Sequence, residues 1–287
     1  MKDALIVTVL SVVPKNPVAR FMGRTARLRL PGWLHRAVVG WFVRKYRVDL
    51  SECQGQLQDF PTLADFFVRA LRPGVRPIDP RPEVLVSPVD ARVHTLGTIQ
   101  GGRFAQADGI DASLAELVGP GAVEGAPDAR RYEGGSYAIL YLSPRDYHRV
   151  HTPRAGTVSW LRYLPGTLWP VFPAATRKVD GLFGQNERLV FRIDTDLGAV
   201  LQVMVGAFGV GRMTTVVSDI TTNTNGRAVD QALSPAPTLD RCAELGRFEL
   251  GSTVILLLEP GRAEWTVQPG DPVRLGRPIA RVRPASG

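Results

Sequence analysis

Glycine and proline punctuate the chain so densely that its C-terminal three quarters cannot form long regular elements. There are 29 glycines and 23 prolines in 287 residues. Between them stand short β-branched and apolar runs at 84–86, 91–99, 137–142, 156–163, 188–193, 199–205, 213–220, 252–258 and 279–282. Runs of that length, bounded by turn residues, pair most simply as antiparallel neighbours. Ahead of them, Arg72-Pro73-Gly74-Val75-Arg76-Pro77-Ile78-Asp79-Pro80 excludes helix and central strand, because each proline fixes φ and removes a donor. It reads as a hinge following a short helical stretch at 63–71. The chain is therefore expected to be α+β, with amphipathic helices over residues 1–60 and a mainly antiparallel, β-rich domain over 61–287. The tail 267–280 has the turn–strand–turn texture of lipoyl-type β-sandwich domains, but no lysine stands in it to carry a lipoyl or biotinyl group.

Charge separates the same two parts. Ten Lys/Arg face only Asp3 and Asp49 in the first 50 residues, whereas the rest carries 25 of each sign, so the whole net charge of +8 sits at the N-terminus. There Leu34, Ala37, Val38, Trp41, Phe42 and Tyr46 recur at helical spacing, with Arg36, Arg44, Lys45 and Arg47 largely on the other faces. A basic helix with interfacial tryptophans, Trp33 and Trp41, suits an anionic bilayer surface; the competing reading is a helix packed on its own domain. Nothing resembles a nucleic-acid recognition motif, so nucleic acid is not expected as partner. The greasy stretch Ala4–Val13 is too short to span a membrane and is followed by Pro14 without a small-residue cleavage site. Cys53 and Cys242 show neither disulfide framework nor metal-ligand spacing, which suits a reducing compartment and predicts no metal.

Chemistry concentrates in three places. In Phe248-Glu249-Leu250-Gly251-Ser252-Thr253-Val254, a glycine that lets the backbone bend precedes a hydroxyl at the mouth of an apolar strand. Ser252 could attack an external substrate or the carbonyl of its own Gly251. In Ser143-Pro144-Arg145-Asp146-Tyr147-His148-Arg149-Val150-His151-Thr152-Pro153, an N-cap serine, a proline at the first position and a closing proline predict one or two helical turns. Their three-residue spacing would then put His148 and His151 on one face. Such a pair can be structural, can bind a metal with Asp90 or Asp146, or can transfer protons near neutrality. Asp90, in Ser87-Pro88-Val89-Asp90, leads from a turn into a strand. A histidine, Asp90 and Ser252 supply base, orienter and nucleophile, although no spacing shows that they meet.

The blocks Phe66-Phe67-Val68-Arg69-Ala70-Leu71-Arg72-Pro73-Gly74-Val75-Arg76-Pro77-Ile78-Asp79, Ser87-Pro88-Val89-Asp90, Tyr141–His151, Asn186-Glu187-Arg188 and Gly246–Thr253 occur in an order that resembles the phosphatidylserine decarboxylases, specifically the membrane-associated bacterial type. The resemblance covers nearly the whole chain. It implies a proenzyme that cuts itself between Gly251 and Ser252, leaving residues 1–251 and 252–287 associated and turning Ser252 into a pyruvoyl group. It implies His151 as the base for that step, Asp90 as its orienter, and His148 as proton donor to the carbon that loses carbon dioxide. Phosphatidylserine bound as a Schiff base would then yield phosphatidylethanolamine. No pyridoxal phosphate is expected: Lys178 is the only lysine of the body, in surroundings without pyridoxal-site character. The implied location is peripheral, on the cytoplasmic face of the cell membrane, and a homodimer is one assembly it allows. On this reading a body lacking the first 50 residues would still cut itself.

The chain departs from the family pattern at Ala91, where relatives carry glycine, and at Pro170 and Phe172, where they carry polar residues of a Ser-Val-Asn type; the first requires a turn that avoids positive φ, and the second bears on head-group preference. Asn186-Glu187-Arg188 is kept, as a structural or a pocket-lining group. Two other classes fit the residues: a non-enzymatic, membrane-anchored lipoyl-like binding module with an uncut chain, and a serine hydrolase using Ser252, His151 and Asp90 on an external ester.

Overall fold

A computed structural model describes residues 13–121, 124–209, 212–224, 226–249 and 252–283. Gly251 and most of the stretch Ala4–Val13 lie outside them. Three helices come first: α1 (Lys15–Ala26), α2 (Gly32–Tyr46) and α3 (Leu63–Phe67). Helix α2 ends where Arg47 turns left-handed at φ 55°, and α3 begins where the Thr62 hydroxyl accepts the Asp65 N–H at 3.1 Å. Val39 and Phe42 of α2 bury against Phe66 and Phe67 in a small core of their own, Phe42 meeting both rings nearly edge-on.

The hinge has no regular structure, and the strands follow it. In chain order they are β1 (Val84–Val86), β2 (Ala91–Thr98), β3 (Arg103–Ala107), β4 (Ile110–Ser113), β5 (Ser136–Leu142), β6 (Arg149–His151), β7 (Gly156–Leu164), β8 (Arg188–Thr195) and β9 (Gly198–Gly206). Then come β10 (Met213–Thr215), β11 (Val229–Ala232), β12 (Thr238–Leu239), β13 (Glu244–Phe248), β14 (Ser252–Leu258), β15 (Ala263–Trp265), β16 (Pro272–Val273) and β17 (Pro278–Val282). The main sheet has the order β11-β7-β8-β9-β14-β5-β2-β16, with β12 also on β7. A second sheet is β1-β17-β15, a third is β10-β13-β6, and β3 and β4 form a hairpin. The tail thus serves two sheets, β16 in the main one and β17 in the second.

Strand β14 is central and buried on both faces along all of Ser252–Leu258, which is why its sequence is continuously apolar rather than alternating. Val254, Leu256 and Leu258 enter one core with Leu140, Leu142 and Met204, closed by the small sheets through Val150, Met213, Phe248 and Ile279. Ile255 and Leu257 enter the opposite core with Leu201, Val203 and Val205, covered by Phe104, Leu117, Leu182 and Phe183. Ala91 opens β2 in ordinary extended conformation, so the missing glycine costs nothing there. The run 213–220 forms strand only to Thr215.

One expectation fails in a way that matters for the site. Residues 143–153 form no helix. The Asp146 carboxylate instead accepts both the N–H and the hydroxyl of Ser143 at 2.7 Å, closing a single turn. The chain then extends into β6, whose pairing with β13 outcompetes a two-turn helix that proline would end at once. In extended backbone an odd spacing sends side chains to opposite sides, so His148 and His151 part company.

Candidate active site

Ser252 is the first residue of β14 and is held on both sides, opposite Leu142 of β5 and Gly206 of β9. It has no exposed surface. Its hydroxyl faces Nδ1 of His148 at 3.3 Å. His148 is placed by three neighbours: its carbonyl accepts the Phe248 N–H at 3.0 Å, its ring stacks on Phe67 at 4.1 Å, and its Nε2 lies 3.0 Å from the Ser143 carbonyl. A carbonyl only accepts, so Nε2 carries the proton and Nδ1 is the acceptor turned to Ser252. Complete burial, aided by the nearby Arg69 charge, pulls the His148 pKa down to about 3 against the opposing Ser143 bond. The ring is neutral at physiological pH.

His151 is built by the same logic with other partners. Its Nδ1–H donates to the Cys242 carbonyl at 2.7 Å, which leaves Nε2 to accept the Tyr147 hydroxyl at 3.1 Å. Cys242 presents that carbonyl from a left-handed backbone, φ 63°, a conformation that costs a non-glycine residue free energy. Burial lowers the His151 pKa; the bond to the Cys242 carbonyl works the other way, followed by the Glu244 and Asp90 carboxylates, and Arg149 adds to the lowering. Asp90 itself sits on Arg76, whose Nε meets both its oxygens at 3.0 Å, and it also accepts the Leu275 N–H at 2.9 Å. Arg76 continues to Glu52 at 2.6 Å. The triad suggested by residue types is therefore not hydrogen-bonded together in the uncut chain: Ser252 meets His148 rather than His151, and Asp90 reaches His151 by charge alone.

His94, His148 and His151 all have pKa values lowered by burial from an ordinary 6.5. Below that value the unfolded chain binds more protons than the folded one, so their contribution to stability is present above pH 6.5 and is lost as pH falls toward the folded values. Urea unfolding is expected to show a lower midpoint at about pH 5.5 than at about pH 7.5, with a smaller difference in His148→Gln.

Asn186-Glu187-Arg188 proves to be scaffolding next to the serine. Asn186 Nδ2 donates to the carbonyls of Trp169 at 2.8 Å and Gly206 at 2.9 Å, fixing the residue opposite Ser252. Buried Glu187 accepts the Tyr163 hydroxyl and the Asn223 N–H, both at 2.5 Å. The Arg188 guanidinium binds the carbonyls of Glu116 and Leu117, the last turn of a short helix at 114–118. Residue types alone did not reveal Phe67, Tyr147, Arg76 or the Ser143 and Cys242 carbonyls. Of these, Phe67, Arg76 and Tyr147 lie in motifs already noted, whereas nothing in the sequence marked the two carbonyls as partners of the histidines. Among the described residues no group of three or more His, Cys, Asp or Glu side chains could hold a metal ion.

Two spaces flank the histidine turn. A charged cleft of about 530 Å³ is lined by Arg69, Arg76, Asp90, Ser143, Asp146 and Tyr147. An apolar cavity of about 520 Å³ between α1, α2 and the body is lined by Leu28, Trp41, Phe42, Phe67, Pro144 and Phe208. Phe67 belongs to the second and stacks on His148.

A serine that opens a central strand, faces a neutral histidine and is closed to solvent is a hydroxyl–imidazole pair inside a β-rich domain. The chain belongs to the phosphatidylserine decarboxylase family, whose sequence profile matches residues 63–281. It is 45% identical to the phosphatidylserine decarboxylase proenzyme of Anaeromyxobacter sp. (strain K), over 97% of this chain and 99% of that one. The proenzymes of Myxococcus xanthus (strain DK1622) and Shewanella pealeana (strain ATCC 700345 / ANG-SQ1) are 40% and 37% identical, each over 98% of this chain and at least 99% of their own length.

Proposed function

We propose that the chain cuts itself between Gly251 and Ser252 and then decarboxylates phosphatidylserine to phosphatidylethanolamine and carbon dioxide. The observation that carries this reading is the Ser252 hydroxyl, fully buried at the start of β14 and 3.3 Å from His148. In the uncut chain that hydroxyl is closed to solvent, so an external ester does not meet it before the cut, which weighs against a hydrolase. Attack on the Gly251 carbonyl exchanges the amide for an ester, and β-elimination across residue 252 then releases the Gly251 carboxylate and leaves a dehydroalanine. Water converts this to a pyruvoyl group with loss of ammonia. The group fits the position: it is smaller than the acylated serine, has His148 beside it, and is buried where water would otherwise compete. It supplies a carbonyl electron sink for the electrons left behind as carbon dioxide departs.

The two histidines divide the proton work. Uptake of the Ser252 proton needs a stable imidazolium, which the charges of Glu244 and Asp90 favour at His151 and the Arg69 charge disfavours at His148. We assign uptake to His151, with Asp90 as its electrostatic partner. His148, in contact with residue 252, is placed to relay a proton to the substrate carbon, taking it up during the reaction because the resting ring is neutral. Its poor affinity for that proton makes it a strong donor.

The surroundings suit an amphiphile. The charged cleft on the Ser143–Tyr147 side accommodates a zwitterionic head group, and the apolar cavity reaches Phe67 from the other side. Phe21, Leu28, Trp33 and Trp41 of the N-terminal segment are more than half exposed, a concentration of large apolar side chains beside basic ones. That supports amphipathic helices docked peripherally on an anionic bilayer; the cytoplasmic face is part of the proposal. No helix among the described residues is long and apolar enough to span a membrane. Trp33→Ala with Trp41→Ala is expected to weaken sedimentation with phosphatidylglycerol-containing vesicles about tenfold, without changing self-cleavage. A lipoyl-like β-sandwich character of the tail is part of the proposal, as scaffold only.

Mass spectrometry of the purified protein tests the reading. The expected result is a break before residue 252 and a small chain with a blocked, pyruvoyl-sized N-terminus, both missing in Ser252→Ala. The small chain stays bound, since β14 keeps its ladders to β5 and β9 after the cut. An intact chain with full decarboxylase activity would refute it.

A further inference from the structure

Residues 249–251 join two different sheets, β13 in the third and β14 in the main one. Both ends of this junction are fixed: the Phe248 N–H is bound to the His148 carbonyl, and Ser252 is laddered on two sides. Between them Glu249 is held three ways. Its N–H donates to the Arg212 carbonyl at 3.0 Å, its carboxylate lies 3.3 Å from Arg212 Nε, and its other oxygen pairs with Arg27. Arg27 directly follows α1, so the N-terminal segment grips the chain three residues before the serine.

Helix α1 also reaches the opposite side of that serine. Near its start, the Asn16 amide donates to the Gly166 carbonyl at 2.8 Å, and the Lys15 ammonium lies 3.7 Å over the Trp169 ring. The 166–169 loop is bonded in turn to Asn186, which fixes Gly206 opposite Ser252. One helix therefore bears on Glu249, three residues before the serine, and on the loop that supports Gly206 opposite it.

We propose that α1 is a built-in positioning element for self-cleavage, acting through the Arg27–Glu249 pair with support from Arg212. The reacting hydroxyl and the carbonyl it attacks lie on either side of one peptide bond, so their approach depends on how the preceding residues are aimed rather than on diffusion. An ion pair at Glu249 restricts that aim, and its removal leaves the chemical groups intact while spreading their orientations. The N-terminal segment then does more than meet a membrane: a body lacking it would mature slowly.

This inference rests on self-cleavage at Gly251–Ser252, and the test separates the two. Full-length chains synthesised in a cell-free system are followed over time by denaturing gel and mass spectrometry, with Ser252→Ala as the uncut reference. The wild type must yield the 252–287 fragment; if it does not, the cleavage reading itself falls. Given that cleavage, Arg27→Ala and Glu249→Ala are expected to slow it roughly five- to tenfold, with Arg27→Lys intermediate. The exchanged pair Arg27→Glu with Glu249→Arg should recover to within about twofold of the wild type. Thermal unfolding of each variant on the Ser252→Ala background reports any loss of folding separately. Wild-type cleavage rates in both alanine variants, or an exchange no faster than either single variant, would overturn the clamp.

Discussion

Replacing His151 by alanine is expected to leave the full-length chain uncut, with decarboxylase activity falling in proportion to the missing pyruvoyl-bearing chain. The reasoning turns on which imidazole can hold a proton. One ring, His148, meets Ser252 and the other, His151, meets Tyr147, and both are neutral with one nitrogen donating to a backbone carbonyl. Only His151 has carboxylates acting to stabilise its charged form. Loss of a positioned general base costs about two to four orders of magnitude in rate, enough to change a chain that matures during expression into one that does not. Asp90→Asn should act in the same direction but less severely, since Asp90 influences His151 through space and its hydrogen bonds go to Arg76 and Leu275. Gel analysis of freshly purified protein reads both. If His151→Ala matures normally while His148→Ala remains uncut, the resting contact between Ser252 and His148 is the reactive one and the assignment is reversed.

His148→Ala is expected to give the complementary result: a chain that still cuts itself, though slowed by loss of the ring that receives the Ser252 hydroxyl, and that scarcely decarboxylates. Its protonation is disfavoured by burial and Arg69, pulling its pKa to about 3, so once charged it surrenders the proton readily. Removing it should lower kcat about a hundred- to ten-thousandfold with a much smaller change in KM, because the ring acts on the reacting carbon and not on the acyl chains. Carbon dioxide release from phosphatidylserine in detergent micelles, normalised to the amount of 252–287 fragment, separates this from a maturation defect. Equal losses in maturation and normalised turnover would be expected only if the substitution disturbed the stack with Phe67 and the fold around it.

Much of this site was legible before any coordinates, for reasons tied to individual residues. The apolar run after Ser252 reads as a strand, and β14 is one over the same seven residues, buried on both faces. Prolines at 73, 77 and 80 excluded regular structure between the helices and the body, and none forms there. The histidine block misled because its Ser-Pro start and Pro end are helix signals. Whether they act depends on what else competes for the backbone, and β13, about a hundred residues later, supplies strand pairing that no local pattern announces.

The sequence by itself determined the reagents: a glycine–serine bond at a strand mouth, two histidines, an aspartate at a turn, and a basic aromatic segment ahead of a neutral β-rich body. These follow from residue type and local spacing, which is where side-chain chemistry and turn preference reside. Only the tertiary structure decided which of them touch. It turned His148 to Ser252 and His151 to Tyr147, because an extended backbone sends residues three apart to opposite sides. It placed Asp90 on Arg76 and brought Arg27 to Glu249 across 222 positions of chain. Contacts of that separation depend on sheet order and strand register, which only the folded chain sets.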